Sequence, residues 1–531
     1  MTKSAFFLSA SIVLFSFACQ GDPPDLPPVY PVPSPEQVRY QKMELAGFIH
    51  FSINTFTDRE WGFGDEAPAL FDPTDLDPGQ WARVAAEFGM GELILTAKHH
   101  DGFCLWPSET TDHDIAASPW KDGEGDLVAE FAHATRQEGL AVGLYLSPWD
   151  RNHPGYGGPE YLQAYRAQLR ELLTGYGEVA EIWVDGANGG TGYYGGANEE
   201  RRIDRRTYYQ WPETMGMVKE LQPSTLIFSD AGPDIRWIGN ERGFAGETNW
   251  STITIRDIVI GEADTEYLNS GDPAGEDWVI PLCDTSIRPG WFYHQDQDDR
   301  VKSPRELVDL YYRSVGRNCV LLLNIPPDQR GRFHENDVAA LRETRSILDE
   351  TFARDLTAGA RVEATSWRLG HLRFAPENVV DGVAETYWAA EDGVVADRTF
   401  AEGSGGGGRG DAAEQADAGV ALELFLPEVQ EFDRILLQEP IRLGQRVASF
   451  SVEARVDGEW RGAAEGTTIG YKRLLRVPMV RADALRITIH EARGTPALST
   501  VGLYKASSRE PRVQGGLRGQ GDEPQTPRNA P

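Results

Sequence analysis

The amino-acid sequence predicts an α/β protein with a (β/α)8-like (TIM) barrel followed by an antiparallel β-sandwich. Between about 40 and 350, apolar runs of strand length alternate with amphipathic helical stretches, which is typical of a parallel sheet. About eight such units in about 300 residues suffice to close a barrel. Beyond about 355 the apolar runs become short and alternating, with turn residues between them, which favours a sandwich.

The barrel elements follow from the periodicity of the apolar residues. We predict strands at 46–53, 92–98, 141–147, 181–185, 225–230, 244–248, 290–294 and 320–325. Helices are predicted at 77–88, 126–138, 160–176, 208–221, 304–315 and 335–350. The strand at 244–248 is weak and the later half is less regular, so the barrel is expected to be distorted there.

The second domain is built from short alternating segments. Its strands are predicted at 421–426, 434–438, 449–456, 474–477, 485–489 and 501–504. A segment rich in Gly, Asp and Ala at 402–419 is expected to be a flexible loop, and 506–531 is expected to be a disordered tail. We therefore place the barrel domain at 40–352 and the sandwich at 356–505.

The N-terminus is typical of an export signal. Lys3 precedes an apolar run at 5–18 that is too short to span a bilayer, so 1–19 is interpreted as a cleaved signal. Ser16-Phe17-Ala18-Cys19 resembles a lipoprotein cleavage box, which predicts a lipid anchor at Cys19; the alternative is a plain secretory signal. The proline-rich stretch 20–39 is interpreted as an extended tether. The protein is expected in the periplasm or at the cell surface as a lipoprotein, or otherwise secreted.

Charge and cysteine content exclude several classes of protein. The formal net charge of −31 argues against nucleic acid, whose phosphates need clustered Lys and Arg. Apart from Cys19, only Cys104, Cys283 and Cys319 remain, so at most one intramolecular disulfide can form. No Cys/His spacing indicates a structural zinc site, and we predict no metal.

Polar side chains gather where the predicted strands end. They are His50, Glu60 and Trp61 after the first strand, His99 and His100 on the second, Tyr145 on the third and Asp185 on the fourth. In a parallel barrel the chemistry collects at these carboxyl ends. A single Asp or His there is more often a turn residue or helix cap, but several in order along one chain favour an active site.

The types of residue indicate a sugar as substrate. The chain lacks a Gly-x-Ser-x-Gly elbow, a P-loop and a dinucleotide fingerprint. Aromatic faces stack on the C–H face of a sugar ring, and His, Glu and Arg bind its hydroxyl groups. Two carboxylates on a barrel suit glycoside hydrolysis, in which one attacks the anomeric carbon and the other protonates the leaving oxygen.

Several motifs together resemble the α-L-fucosidases of glycoside hydrolase family 29. They are Ile49-His50-Phe51, Glu60-Trp61-Gly62, Lys98-His99-His100-Asp101-Gly102-Phe103, Trp183-Val184-Asp185-Gly186 and Gly232-Pro233-Asp234-Ile235-Arg236-Trp237. The resemblance covers about 40 to 350. It implies an exported or lysosomal retaining exo-hydrolase that needs no cofactor and acts on a fucosylated oligosaccharide or glycoconjugate.

The resemblance also implies roles for individual residues. Asp185 is similar to the nucleophile of the family, which forms a covalent fucosyl-enzyme. The implied fucose-binding residues are His50, His99, His100 and Trp183, with Glu60, Trp61, Tyr145 and Arg236 sharing that role and Trp291 and His294 as further candidates. Alternatively, Arg236 forms a salt bridge with Asp234 or another acid. Trp291 and His294 have the alternative that they are core aromatic residues.

The general acid/base is expected to be Glu241. The block Gly239-Asn240-Glu241 resembles the branch of the family that cleaves α-1,3- and α-1,4-linked fucose from branched glycans. Glu247 is the competing candidate, and a solvated loop glutamate is the alternative for both. A retaining mechanism requires the two catalytic carboxyl groups to lie about 5–5.5 Å apart.

The C-terminal domain has a resemblance of its own. Phe374-Ala375-Pro376-Glu377-Asn378-Val379-Val380-Asp381-Gly382 and Thr386-Tyr387-Trp388-Ala389 look like a discoidin-type, galactose-binding-like sandwich. This implies glycan binding, a calcium site near Asp381, or a packing module, and the packing module is favoured.

Three functions stay open at this point. The leading one is an exo-α-L-fucosidase for α-1,3/1,4-linked fucose. The second is a retaining hydrolase for another sugar such as an α-L-galactoside. The third is a carbohydrate-binding surface protein whose barrel is inactive, although the presence of Asp185 and Glu241 argues against it.

Overall fold

The computed structural model describes residues 23–257, 259–393, 419–511 and 513. The predicted signal with Cys19 and nearly all of the predicted insertion at 402–419 lie outside these described residues. Within the described part of the chain, no helix is long and apolar enough to cross a membrane.

Eight parallel strands close a barrel, which confirms the predicted fold class. In chain order they are β1 (Leu45–Ile49), β2 (Glu92–Lys98), β3 (Ala141–Leu146), β4 (Glu181–Trp183), β5 (Leu226–Ser229), β6 (Ile235–Trp237), β7 (Ile280–Ser286) and β8 (Val320–Asn324). Each strand pairs with its neighbours in sequence, and β8 returns to β1. Nearly all strand residues are buried, because helices cover the outside and side chains fill the interior.

The helices begin and end at residues with clear local signals. They are α1 (Pro35–Met43), α2 (Ile53–Thr57), α3 (Pro78–Phe88), α4 (Leu127–Gln137), α5 (Pro159–Gly175), α6 (Trp211–Leu221), α7 (Thr265–Ser270), α8 (Pro304–Arg313) and α9 (Glu335–Phe352). At the start of α3 the Asp77 side chain accepts the Gln80 N–H, and Gly89 ends the helix in the left-handed conformation. Such caps fix where each connection to the next strand begins.

The sixth and seventh barrel strands were wrongly placed by the sequence. The segments 244–248 and 290–294 are not strands; β6 and β7 take their places. β6 has only three residues with Arg236 at its centre, and β7 contains Pro281 and Asp284, so neither shows a run of apolar residues. The aromatic run at 290–294 instead forms part of the mouth of the barrel, where Trp291 lies.

The C-terminal domain is a large antiparallel sheet with a small second sheet beside it. Its strands are β9 (Arg361–Ala364), β10 (Trp388–Ala389), β11 (Val420–Gln438), β12 (Val447–Val456), β13 (Glu459–Gly466), β14 (Arg473–Ala492), β15 (Ala497–Leu498) and β16 (Thr500–Tyr504). The large sheet has the order β9-β11-β14-β12-β13 with β16 paired to β11, and β10 pairs with β15. Four of the predicted short strands are halves of the long strands β11 and β14, whose pairing has register shifts.

Both ends of the described chain are packed, in 23–39 of the predicted tether and 506–511 of the predicted tail; the rest of that tail, except 513, lies outside the described residues. Leu26 is buried against Phe374 and Tyr387 of the C-terminal domain, and 35–39 already belong to α1. At the other end Glu510 is buried and binds Arg434 at 2.8 Å. The proline-rich and polar composition predicted an extended tether and a disordered tail. Contacts with the C-terminal domain instead order the described part of both segments.

One disulfide links two neighbouring barrel strands. Cys283 on β7 is bonded to Cys319, which directly precedes β8. Cys104 is a buried free thiol. This agrees with the limit of one bridge set by the cysteine count.

Candidate active site

A cavity of about 350 Å³ opens at the carboxyl ends of the barrel strands. Its side chains are mainly acidic, aromatic or histidine: Phe48, His50, Glu60, Trp61, His99, His100, Tyr145, Trp183, Asp185, Arg205, Phe228, Asp230, Trp237, Glu241, Asp284 and Trp291. All the predicted site residues except Arg236, His294 and the competing acid/base candidate Glu247 lie in this lining. The strands therefore bring together residues that lie far apart in sequence.

Asp185 lies two residues beyond β4 and accepts two hydrogen bonds from the chain. Its Oδ1 accepts the Ala187 N–H at 2.6 Å, and its Oδ2 accepts the Tyr145 hydroxyl at 3.1 Å. Burial raises the pKa of Asp185, while these two hydrogen bonds lower it. Because an ionised carboxylate only accepts, both donors favour the charged form.

Glu241 lies in the loop after β6 and turns its carboxyl group into the same cavity. The Trp291 indole N–H donates to its Oε2 at 3.3 Å. Burial raises the pKa of Glu241, the Trp291 bond lowers it, and the nearby Asp185 and Glu60 raise it further. The two predicted catalytic carboxyl groups thus share one cavity but have different partners.

Glu247 lies outside this cavity. Its side chain is about two-thirds exposed and binds Arg473 at 2.6 Å and also Arg317. Arg473 belongs to β14, so Glu247 joins the barrel to the C-terminal sheet.

His100 is neutral and directs a lone pair toward Asp185. The Ser147 hydroxyl donates to the Trp149 carbonyl at 2.7 Å, so the Ser147 oxygen accepts from His100 Nδ1–H, also at 2.7 Å. Nε2 therefore carries no proton, and it lies 3.9 Å from Asp185 Oδ2. Burial, with the charges of Arg151 and Lys98, lowers the pKa of His100 to about 3.

His50 and His99 are neutral as well. Asn324 donates from its amide nitrogen to the Trp291 carbonyl at 2.8 Å, so its side-chain oxygen accepts from His50 Nδ1 at 2.8 Å. Burial lowers the pKa of His50 to about 3 and that of His99 well below its ordinary value. Three uncharged imidazoles at the end of β1 and β2 suit the hydroxyl groups of a neutral sugar.

Glu60 is fixed by two donors from the loop after β7. Its Oε2 accepts the Trp291 backbone N–H at 2.8 Å, and its Oε1 is bonded to His294 Nε2 at 2.6 Å. Asp58 binds the other nitrogen of His294 at 2.6 Å. Burial alone would lower the pKa of His294, but its bonds to Asp58 and Glu60 raise it. Of the two further candidates, Trp291 lines the cavity and His294 supports Glu60.

Aromatic rings form the remaining walls. Trp183 stacks on Phe228 with ring centroids 4.0 Å apart, and its buried indole N–H has no hydrogen-bond partner within the described chain. Trp61 is about half exposed and stands edge-on to His100. A buried donor without a protein partner, at a cavity wall, is available to a ligand oxygen.

Arg236 does not reach the cavity, which corrects the prediction that it binds substrate. It is fully buried, and its guanidinium donates to the carbonyls of Leu268, Val279 and Trp250 and to the Asn249 side chain. Nor is it the partner of Asp234, which binds Lys219 at 2.7 Å. Arg236 points outward from β6 and holds the loops behind that strand.

Six of the side chains in the cavity wall were not among the predicted site residues. They are Phe48, Arg205, Phe228, Asp230, Trp237 and Asp284. Burial and the charge of Asp185 raise the pKa of Asp230 to about 6, and the Gly261 N–H donates to it at 2.8 Å. Asp230 directly follows β5, so its position at a strand end was the signal that identifies it.

The described residues contain no group of three or more His, Cys, Asp or Glu side chains arranged to hold a metal ion. Asp381, the suggested calcium position, accepts from the Val383 N–H at 2.8 Å and from the Thr386 hydroxyl at 2.7 Å. These bonds are those of a local turn.

The chain is similar to known proteins over most of its length. Residues 34–350 match the family model described as alpha-L-fucosidase. Alpha-L-fucosidase 1 of Arabidopsis thaliana is 42% identical over 90% of this chain and 88% of its own. The crystal structure of a glycoside hydrolase 29 family member from an unknown rumen bacterium is 42% identical, with a TM-score of 0.77 over 91% of this chain and 78% of its own.

A third relative carries a bound sugar. The structure of a Ruminococcus gnavus family 29 fucosidase in complex with fucose is 32% identical, with a TM-score of 0.79 over 92% of this chain and 98% of its own. These similarities cover both the barrel and the C-terminal sheet. The chain therefore belongs to glycoside hydrolase family 29 and is an α-L-fucosidase.

Proposed function

We propose that this α-L-fucosidase is a retaining exo-enzyme that removes α-1,3- or α-1,4-linked L-fucose from branched glycans. Asp185 is the nucleophile and Glu241 the general acid/base. The observation that carries the proposal is that these two carboxyl groups open into one cavity with different partners: Asp185 accepts two hydrogen bonds that favour its carboxylate, and the pKa of Glu241 is raised by burial and by the charge of Asp185. Retaining hydrolysis needs one carboxylate and one carboxylic acid.

The coupling between the two groups suits both steps of the reaction. While Asp185 is ionised, its charge raises the pKa of Glu241, which favours the protonated form needed to protonate the leaving oxygen. Once Asp185 is esterified by fucose its charge is gone, so the pKa of Glu241 falls. Glu241 is then suited to take a proton from the attacking water.

The surroundings of the cavity support fucose as the sugar in it. The unprotonated nitrogens of His50 and His100 can accept hydrogen bonds from sugar hydroxyl groups. Glu60 adds a carboxyl group to the cavity wall. Trp183 offers its unpartnered indole N–H. The Ruminococcus gnavus relative was solved with fucose. The linkage preference rests on the Gly239-Asn240-Glu241 block and on the position of Glu241 in the cavity wall.

Fucose release by four proteins tests the proposal. Wild type, Asp185→Ala, Glu241→Gln and Glu247→Gln are incubated with a Lewis-type trisaccharide and with an α-1,2-fucosylated trisaccharide. We expect the Asp185 and Glu241 variants to lose about a thousandfold or more in kcat, because each removes a group that acts in bond breaking. Glu247→Gln is the matched control, with an intact cavity and expected near-normal release.

Three results would contradict parts of the proposal. Inactivity of Glu247→Gln with an active Glu241→Gln would move the acid/base role. Faster release from the α-1,2 substrate would remove the linkage preference. Proton NMR of the first product should show α-L-fucose, and β-L-fucose as the first product would exclude retention.

The C-terminal domain, we propose, is a discoidin-like module that steadies the barrel. Two backbone N–H groups of the barrel are satisfied by its side chains: Asn249 by Thr468 and Ser251 by Gln445, at 2.9 and 2.8 Å. Binding of this kind orders the loops behind β6 and β7. Calorimetric titration with galactose and with calcium tests the proposal. We expect no heat of binding from this domain, and binding of either ligand there would contradict a purely stabilising role.

Export with lipid attachment at Cys19 is also proposed. Its support is the signal-like segment at 1–19 and the cleavage box before Cys19. Cys19→Ala should lose the lipid mass and leave the membrane fraction. An unchanged membrane fraction would remove the anchor from the proposal.

A further inference from the structure

The cavity has two sides that come from opposite arcs of the barrel. The ends of β1 to β4 supply His50, His99, Tyr145 and Asp185, the side assigned above to fucose. The other arc supplies Trp237 at the end of β6, Glu241 in the following loop and Asp284 on β7. Because a general acid must lie beside the glycosidic oxygen, the sugar that leaves is expected on the β6–β7 side.

Asp284 lies in the wall of this second side. It is only 3% exposed although it lines the cavity. The Trp237 indole N–H donates to Oδ1 at 3.0 Å, and Oδ2 makes no hydrogen bond to another described residue. One oxygen is therefore held by the protein and the other is free to meet a ligand.

The charge state of Asp284 follows from its surroundings. Burial and the charge of Glu241 raise the pKa of Asp284 well above its ordinary value, with a smaller contribution from Asp185, against the Trp237 bond that lowers it. Glu241 acts on Asp284 more strongly than Asp185 does, which agrees with a place on the acid/base side. A raised pKa favours the protonated carboxylic acid, in which Asp284 can donate a hydrogen bond.

We propose that Asp284 and Trp237 form a leaving-group subsite, in which Asp284 Oδ2 donates a hydrogen bond to a hydroxyl group of the sugar that bears the fucose. This inference rests on the proposed function, since it needs Glu241 to mark the leaving side. It makes Asp284 a specificity-determining residue that distinguishes a branched glycan from free fucose. The hydroxyl of that neighbouring sugar replaces water at a buried donor.

Two substitutions at one position separate this role from a structural one. In Asp284→Asn the amide oxygen can accept from Trp237 while the amide nitrogen donates to the ligand, as the acid does. We expect kcat/KM on the Lewis-type trisaccharide to stay within about threefold of wild type. Asp284→Ala removes the bond and should lower kcat/KM about 10- to 100-fold, the usual range for a hydrogen bond at a buried site.

Free L-fucose is the internal control. Its affinity for each variant, measured by titration calorimetry, should be unchanged within about twofold, because the fucose side is intact. Unfolding temperatures show whether each variant is folded. If Asp284→Ala does not fold, Trp237→Phe keeps the ring but frees Oδ1, and a smaller loss confined to the trisaccharide is expected.

Three outcomes would overturn the inference. Equal losses for trisaccharide turnover and fucose affinity would assign Asp284 to the fucose side. A loss in Asp284→Asn as large as in Asp284→Ala would mean that a charged carboxylate is needed. Unchanged kcat/KM in Asp284→Ala would remove Asp284 from substrate binding. If wild type releases no fucose from the trisaccharide, the proposed function itself fails first, and the Asp284 variants are not the cause.

Discussion

Buried carboxyl groups lie at both ends of the barrel, and their surroundings differ. At the mouth, Asp185, Glu241 and Asp284 line the cavity. At the floor, Glu92 and Glu181 begin β2 and β4, and Tyr40 from α1 lies against them. Both groups consist of acids whose pKa is raised by burial.

The hydrogen bonds separate the two ends. Each mouth carboxyl accepts from at least one donor of the chain, as Asp185 does from Ala187 and Tyr145. At the floor, the Tyr40 hydroxyl lies beside the Glu181 carboxyl group, and neither of these groups nor Glu92 Oε1 has any other hydrogen-bond partner within the described chain. The floor acids are enclosed, while the mouth acids open to ligand.

A raised pKa therefore identifies burial and does not by itself identify an active site. Burial raises the pKa of Glu181 to about 8, against a bond to Tyr40 that lowers it and with a further increase from Asp234, whereas Asp230 at the mouth reaches about 6. What distinguishes the mouth is an open cavity together with donors that orient each carboxyl group. Substitutions at the two ends should accordingly change different properties.

Among the substitutions that leave every carboxyl group in place, a matched pair of glycines gives the largest expected effect. A Cβ on Gly186 would lie 2.2 Å from Asp230 Oδ2, so Gly186→Ala must displace Asp230 or the adjacent Asp185. We expect kcat/KM to fall about a hundredfold, as a misplacement of about 1 Å does, with little change in unfolding temperature. Steady-state kinetics and thermal unfolding measure the two properties.

Gly143→Ala is the control near the floor. Its Cβ would lie 2.6 Å from Ile94 Cγ1 and 2.9 Å from Glu92 Oε1. Overpacking of this kind costs about 1–3 kcal/mol, so the unfolding temperature should fall while kcat of the folded protein stays unchanged. The comparison breaks if Gly143→Ala loses turnover as strongly as Gly186→Ala.

Glu181→Gln should produce an intermediate effect, which appears only as pH rises. The pKa of Glu181 in the folded protein, about 8, lies above its ordinary 4.5, so folding is favoured by the bound proton. That stabilisation is full below about pH 4.5 and is lost as pH approaches 8. Glutamine does not titrate, so the free energy of unfolding of the variant should increase relative to that of wild type as pH rises, by at most about 1.4 kcal/mol per pH unit.

Unfolding temperatures at pH 5, 7 and 8.5 test this expectation. Glu178→Gln, three residues earlier and exposed, is the matched control and should follow wild type at each pH. Fucosidase turnover of folded Glu181→Gln should equal that of wild type. A pH-independent difference from wild type would mean that the floor carboxyls are not held protonated by the fold.

The mouth was largely predictable because its residues follow strong apolar strands. β1, β2 and β4 are uninterrupted buried runs, so the polar residues directly after them were expected at one edge of a barrel. His50, His99 and Asp185 are found there. The same argument would have identified Asp230, which directly follows β5.

Residues whose role depends on distant backbone were not predictable. Arg236 was expected to bind substrate, yet its partners are carbonyls of segments up to 43 residues away. Asp284 was missed because it lies within β7, whose proline and polar residues hide the strand pattern. Leu26 sits in proline-rich sequence that is typical of a tether, and its burial depends on a domain about 350 residues later.

The smallest expected effect concerns His294 at the mouth. Its pKa is raised by hydrogen bonds, whereas the pKa of Glu181 at the floor is raised by burial. His294 is bonded to Asp58 and Glu60, and these bonds raise its pKa against the effect of burial. Protonated His294 holds Glu60, and this is lost as pH rises through the raised pKa. Asp58→Asn should therefore move the alkaline decline of kcat/KM to lower pH, by less than one unit because Asp58 is largely exposed and screened. Asp296→Asn removes a nearby charge that does not contact His294, so an equal displacement in this control would attribute the shift to general charge.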